Sequence, residues 1–157
     1  MNAGAAMLMN LSVQATRWAA RWTAGGEPRR AEMKGLAGVL NIEFTGDDGG
    51  AVWHVSFDDG RVVMRKGAGE NPRATVRLQP RDYLAMVAGD LAYSTARMTG
   101  RIRLSGDGHF GIVFGASVEN LRTAARAPGP VGWIARRLTG RALRKGGYTS
   151  PGERTPA

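Results

Sequence analysis

A chain of 157 residues is one domain's worth, long enough to bury a core without disulfide or metal staples. It has no cysteine, which excludes disulfides and thiolate metal sites and fits a reducing compartment. The net charge of +9 is concentrated at one end. Residues 1–119 carry 14 basic and 12 acidic groups, whereas residues 120–157 carry eight basic groups and one acid, Glu153.

Ala5 to Trp22 reads as an amphipathic helix. At about 100° per residue, Met7, Leu8, Leu11, Ala15, Trp18 and Trp22 share a stripe, with Arg17 and Arg21 beside it. Such a helix either packs on the domain, the preferred reading, or lies on a membrane or partner. Gly25 to Pro28 ends it, and Arg29 to Lys34 is a polar connector.

Strands are expected at Val39–Phe44, Ala51–Phe57, Arg61–Lys66, Arg73–Gln79 and Arg101–Ser105. Apolar residues alternate in the later four: Trp53, Val55 and Phe57; Val62 and Met64; Ala74, Val76 and Leu78; Ile102 and Leu104. Between them fall His54, Arg65, Arg77, Arg101 and Arg103. A sheet covered on both sides would show unbroken apolar strands. One face is therefore expected to be solvated and the other covered by helices. Asp58-Asp59-Gly60 is a hairpin signal, because glycine supplies the positive φ of such turns.

Pro80 suits the first turn of a helix carrying Tyr83, Leu84, Met86 and Val87 on one face. Gly89-Asp90 interrupts, Leu91 to Met98 forms a second short helix, and Gly100 ends it. His109 to Leu121 is the covering helix after the fifth strand, with Phe110, Val113, Phe114 and Leu121 apolar. Ala127 to Pro130 breaks the chain. Val131 to Lys145 is a basic amphipathic helix whose apolar stripe is Val131, Ile134, Ala135, Leu138 and Ala142. Gly146 to Ala157 is expected to be disordered.

The order and spacing of residues 80–107 resemble the sterol-carrier-protein-2-like (SCP2) family. The resemblance is carried by Asp82, Tyr83 and Leu84 opening a helix, then Gly89, a small-residue helix to Gly100, a short strand and Gly106-Asp107. It extends from about Gly38 to about Leu121. It implies an α+β fold: a five-stranded, mainly antiparallel sheet with helices over one face and an apolar cavity between them. Where the family usually continues with Ala and Leu or Met, this chain has Gly108, His109, Phe110 and Gly111. The expected organisation is an SCP2-like domain over residues 1–124, core 36–122, followed by the basic helix and tail at 125–157.

Conventional catalytic and metal signatures are missing. Residues 106–111 match G-x-G-x-x-G between a strand and a helix, but no parallel strand follows, so a dinucleotide site is rejected for a tightly packed turn. The acidic turns at Asp47-Asp48 and Asp58-Asp59 lack Ca²⁺-loop spacing. His54 and His109 fit no zinc spacing, and no nucleophile elbow is present. No catalytic residue, metal or cofactor is expected.

Periodicity makes Trp53, Phe57, Met64, Tyr83, Met86, Leu91, Met98, Phe110 and Phe114 core residues; the family resemblance implies that they line an apolar cavity. His109 sits at its edge, where a polar group could orient a headgroup. Tyr83 and Tyr93 are further hydroxyls. Methionine suits adaptable apolar sites. The expected function is to bind a lipid, sterol-like or isoprenoid molecule for transfer or presentation. The alternative is an accessory factor or enzyme that positions a lipophilic substrate in the same space. Trp133, Arg136, Arg137, Arg141, Arg144 and Lys145 are expected to meet an anionic membrane surface. Nucleic acid ranks below it, because no base-stacking platform accompanies the charge. No apolar run nears the roughly 18 residues of a span, and no basic residue precedes Arg17 as a secretory signal would require. The expected location is cytoplasmic, with peripheral contact at the inner membrane face. The oligomeric state is left open.

Overall fold

The computed structural model describes residues 3, 5–7, 9–11, 35–46, 50–58 and 61–150. Five strands form one sheet: β1 (Ala37–Phe44), β2 (Ala51–Asp58), β3 (Arg61–Lys66), β4 (Ala74–Leu78) and β5 (Ile102–Gly106). Their order is β3-β2-β1-β4-β5. All neighbours are antiparallel except β1 and β4, which run parallel. The helices are α1 (Pro80–Ala88), α2 (Tyr93–Met98), α3 (Gly108–Arg126) and α4 (Gly129–Lys145). This is the expected α+β architecture with a mostly antiparallel sheet.

The alternation read from the strands fixes the dry face. Leu40, Ile42, Phe44, Val55, Phe57, Val62, Ala74, Val76, Leu78 and Ile102 are all buried. Arg65, Arg77 and Arg103 are exposed on the other side. That side is not wholly solvated, however. The segment after β3 folds back over it: the Gly69 N–H donates to Asn41 Oδ1 at 3.0 Å, and His54 Nδ1 lies 2.9 Å from the Gly67 carbonyl oxygen. Asn41 is consequently buried and His54 half-buried.

Local chemistry sets the helix ends. Pro80 begins α1, and Gly89 closes it in the left-handed conformation, donating its N–H to the Ala85 and Met86 carbonyls. Asp107 caps α3: its Oδ1 accepts the His109 N–H at 3.0 Å and its Oδ2 accepts Arg73 at 2.9 Å. Two glycines of the G-x-G-x-x-G run, Gly106 and Gly111, serve packing. A Cβ on Gly106, where φ is +87°, would lie 2.3 Å from the Arg73 carbonyl oxygen. One on Gly111 would lie 2.5 Å from Leu104 Cδ2.

Three expectations need correction. At the N-terminus the described residues 5–7 and 9–11 are helical, but Ala5 and Met9 are the fully buried pair. Met7 and Leu11 of the expected stripe are only partly buried. The flexible Met9 side chain reaches into the space beneath β1–β3, which orients the turn. In α4, Ile134 is not on the packed stripe; it is 50 % exposed. Gly132, Thr139 and Ala142 face inward, and their small size allows the close approach of α4 to α3. Residues 146–150, expected to be disordered, are anchored. The Tyr148 N–H donates to the Leu143 carbonyl at 3.0 Å, and its hydroxyl donates to Asp90 Oδ2 at 2.8 Å. Leu8, Ala15, Trp18, Trp22, the connector 29–34, Asp47, Asp48, Asp59, Gly60 and residues 151–157 lie outside the described residues.

Candidate functional site

The two halves of the dry face are covered differently. Over β4 and β5 lie α2 and α3, with α1 packed against α3. Among the described residues, the cover beneath β1, β2 and β3 consists of one side of α3 and the N-terminal Met9. The cavity sits there. Its walls are Leu40 and Ile42 from β1, Val55 and Phe57 from β2, Val62 from β3, Val113, Phe114 and Ser117 from α3, and Met9. Its volume is about 30 Å³. A water molecule needs roughly 10–15 Å³ on this scale, so the space would admit about two.

Among the described residues the lining is apolar apart from Ser117. That hydroxyl donates to the Phe114 carbonyl at 2.7 Å within its own helix, so it is already satisfied. Phe114 joins the cavity to the rest of the core. Its ring lies 6.3 Å from that of Tyr83 and 6.1 Å from that of Tyr93. Phe110 meets Phe57 edge-on at 5.5 Å, and Tyr83 meets Phe44 likewise at 5.8 Å. These contacts favour a rigid aromatic floor beside an adaptable aliphatic wall. The Tyr93 hydroxyl is buried without a hydrogen-bond partner among the described residues.

Of the sequence-predicted cavity residues, Phe57 and Phe114 line the space. Tyr83, Met86 and Phe110 are fully buried in the surrounding core, and Trp53, Met64 and Leu91 pack at its margin. Met98 and His109 are not brought in. Met98 is 88 % exposed, because Ala96 takes the inward position of the short α2. His109 is exposed at the start of α3, where its backbone N–H serves the cap. The choice of large aromatic and methionine residues passed over Met9, Leu40, Ile42, Val55, Val62, Val113 and Ser117. The strand alternation had placed Val55 and Val62 on the dry face, and that signal was sufficient for both.

The family model described as the SCP-2 sterol transfer family matches residues 22–117. The chain belongs to the SCP-2 sterol transfer family. That family generally binds lipids and other hydrophobic ligands. Among curated proteins, none matches this chain by sequence. The SCP-2 fold recurs in solved structures. The solution structure of palmitated SCP2L2 from Aedes aegypti is 20 % identical, with a TM-score of 0.54, covering 75 % of this chain and 95 % of that one. The crystal structure of Sterol Carrier Protein 2 Like 2 from Aedes aegypti is 21 % identical, with a TM-score of 0.51 and coverage of 71 % and 92 %. The sec-alkylsulfatase Pisa1 from Pseudomonas sp. is 26 % identical over 55 % of this chain, with a TM-score of 0.45; the chain spans only 14 % of its length.

The SCP-2 region ends within α3, so α4 is additional to it. Successive residues of α4 turn by about 100°. Trp133, Ile134, Arg137, Arg141, Arg144 and Lys145 then fall within an arc of about 120° opposite the face packed on α3. Trp133 is 54 % exposed, with the Arg137 guanidinium 5.2 Å from its ring centroid. Arg136 lies off this arc and donates to the Ala125 and Ala127 carbonyls, at 3.1 and 3.4 Å. It therefore ties α4 to the end of α3. Among the described residues no helix is long and apolar enough to cross a membrane.

Proposed function

We propose that the protein binds one elongated hydrophobic molecule between the dry face of the sheet and α3, and transfers or presents it at an anionic membrane surface. The observation that carries the reading is the cavity whose described lining is apolar but for one hydroxyl, already paired within its own helix. Each buried methylene contributes about 0.8 kcal/mol, so an acyl or isoprenoid chain needs no polar partner. At about 30 Å³ the space holds only a fragment of such a chain. Entry therefore requires Met9 and the N-terminal helix to move aside, exposing Leu40, Val55 and Val113. The binding residues are the cavity lining with Phe57 and Phe114, supported by Tyr83, Met86, Phe110, Trp53, Met64 and Leu91.

The experiment is native mass spectrometry of the purified full chain with extraction of bound lipid, followed by titration with palmitate. The expected result is one bound molecule and saturable NMR shifts at Leu40, Val55 and Val113. A chain that carries nothing and shows no shift with palmitate overturns the reading. Met9→Ala should speed palmitate uptake by removing the plug.

The outward face of α4 supplies membrane contact. Two apolar anchors and four cations lie on one arc, and each Lys or Arg near an anionic surface adds about 1 kcal/mol. Arg141→Gln, Arg144→Gln and Lys145→Gln together should weaken binding to phosphatidylglycerol-containing vesicles by about fivefold per charge. Equal binding to uncharged phosphatidylcholine vesicles, or preferential binding to RNA, removes this part of the proposal.

A further inference from the structure

A second space, larger than the apolar cavity, opens beside Arg77 and Arg103, which the strand alternation puts on the charged face. It is a groove of about 370 Å³ where the ends of β4 and β5 meet the start of α1. Small-molecule sites span roughly 300–1,000 Å³. Four guanidinium groups surround it: Arg77, Arg81, Arg101 and Arg103.

Sheet register makes this arrangement unusual. Arg77 and Arg103 are direct cross-strand partners on antiparallel β4 and β5. Like charges directly opposite each other destabilise a sheet. Among the described residues one carboxylate answers them: Glu43, beside Arg77 on parallel β1, which accepts from Arg77 Nε. That hydrogen bond, and then the Coulombic attraction, raise Arg77 above the usual arginine pKa. Arg103 has no ion-pair partner among the described residues, and neither does Arg81. Arg101 Nη1 lies 3.3 Å from Asp82 Oδ1, a carboxylate that is itself buried. Among the described residues, the groove and its immediate pairs thus hold four cations against Glu43 and Asp82, an excess of two positive charges.

We infer that this groove binds a phosphate-bearing small anion. A phosphate monoester carries about −1.5 to −2 charges at neutral pH, which matches the excess, whereas a carboxylate supplies one. Guanidinium forks recognise phosphate oxygens bidentately. The two uncommitted arginines provide such forks, and an anion between Arg77 and Arg103 relieves their opposition. The phosphate could belong to a free ester or to a lipid headgroup.

The test is titration of the full chain with inorganic phosphate, dihexanoyl phosphatidate and acetate, followed by NMR of the arginine Nε–H groups and the Thr99–Arg103 amides. Phosphate or phosphatidate should give saturable shifts confined to the groove, with acetate at least tenfold weaker. Arg81→Gln and Arg103→Gln should each weaken binding about tenfold, as loss of one charge-assisted contact implies. Both side chains are exposed and unpaired, so the variants should melt like the parent. Arg141→Gln with Arg144→Gln should leave the groove shifts unchanged. A tenfold or greater preference for phosphatidate assigns the phosphate to a lipid; equal affinity assigns it to a free ester. Shifts that do not saturate, that acetate reproduces, or that survive Arg81→Gln combined with Arg103→Gln overturn the inference. Failure here leaves hydrophobic binding on the opposite face untouched.

Discussion

The two faces of one sheet differ in the space they leave. The apolar side encloses about 30 Å³ beneath β1–β3, while the charged side holds a groove of about 370 Å³ at the ends of β4 and β5. The difference follows from the forces on each side. Apolar side chains close any gap, because unfilled space forfeits dispersion contacts. Opposed guanidinium groups repel and stay hydrated, which keeps a groove open. On the proposed readings, a hydrophobic ligand has to make its own room, whereas an anion would find its place already formed.

Phe114→Ala attacks the closed side most directly. The ring fills space between the cavity, Tyr83 and Tyr93, so its loss merges the cavity with a new void. The expected cost is about 3–5 kcal/mol, in the range of buried Phe→Ala changes. Urea denaturation measures it. Palmitate should restore part of that stability, since a ligand that binds only the folded state stabilises it. A variant that loses little stability, or that palmitate leaves unchanged, would show that the apolar side does not resist opening in the way proposed.

How much of this was legible depends on the kind of pattern each element carries. A period of two is unambiguous over five residues, so Ala74, Val76 and Leu78 were placed on the dry face from sequence, and so were Val55, Phe57 and Val62. A helical stripe is less decisive. The six-residue α2 offered Met98 as an inward residue, but Ala96 holds that position because a small side chain fits under the neighbouring turn. In α4 the most hydrophobic arc contained Ile134, yet Gly132 and Thr139 face α3, because close helix approach selects size over hydrophobicity. Most of the cavity's walls were missed for a related reason: bulk was taken as the sign of a pocket, although the aliphatic Leu40, Ile42, Val55, Val62 and Val113 form more of it than the aromatic residues do. The arginine groove was invisible because it depends on register. Arg77 and Arg103 are 26 positions apart, and only pairing of β4 with β5 sets them opposite each other.

A smaller effect tests the polar content of the closed side. The Tyr93 hydroxyl is buried with no hydrogen-bond partner among the described residues. A buried unsatisfied group costs about 1–3 kcal/mol, so Tyr93→Phe should raise stability by about 1 kcal/mol and the Tm with it. If the hydroxyl instead pairs with the polar end of a bound molecule, the same change should weaken palmitate relative to hexadecane. A fall in ligand-free stability would contradict the burial assigned to this oxygen.

The smallest effect belongs to the open side and is best read as a coupling. Among the described residues Glu43 alone answers the opposed pair Arg77 and Arg103. Glu43→Gln leaves two cations facing each other, so the Tm should fall slightly at low salt and recover at high salt, where exposed charges are screened. Arg103→Gln on its own should be neutral or slightly stabilising. Added to Glu43→Gln, it should reverse most of the loss, a non-additivity that a double-mutant cycle detects. Phosphate should stabilise the Glu43→Gln variant more than the parent, because it then supplies the negative charge that Glu43 supplied between the two guanidiniums. Strict additivity of the two substitutions, with no dependence on salt or phosphate, would mean that the arginines point away from each other into solvent, and the contrast between a closed apolar face and an electrostatically held groove would lose its second half.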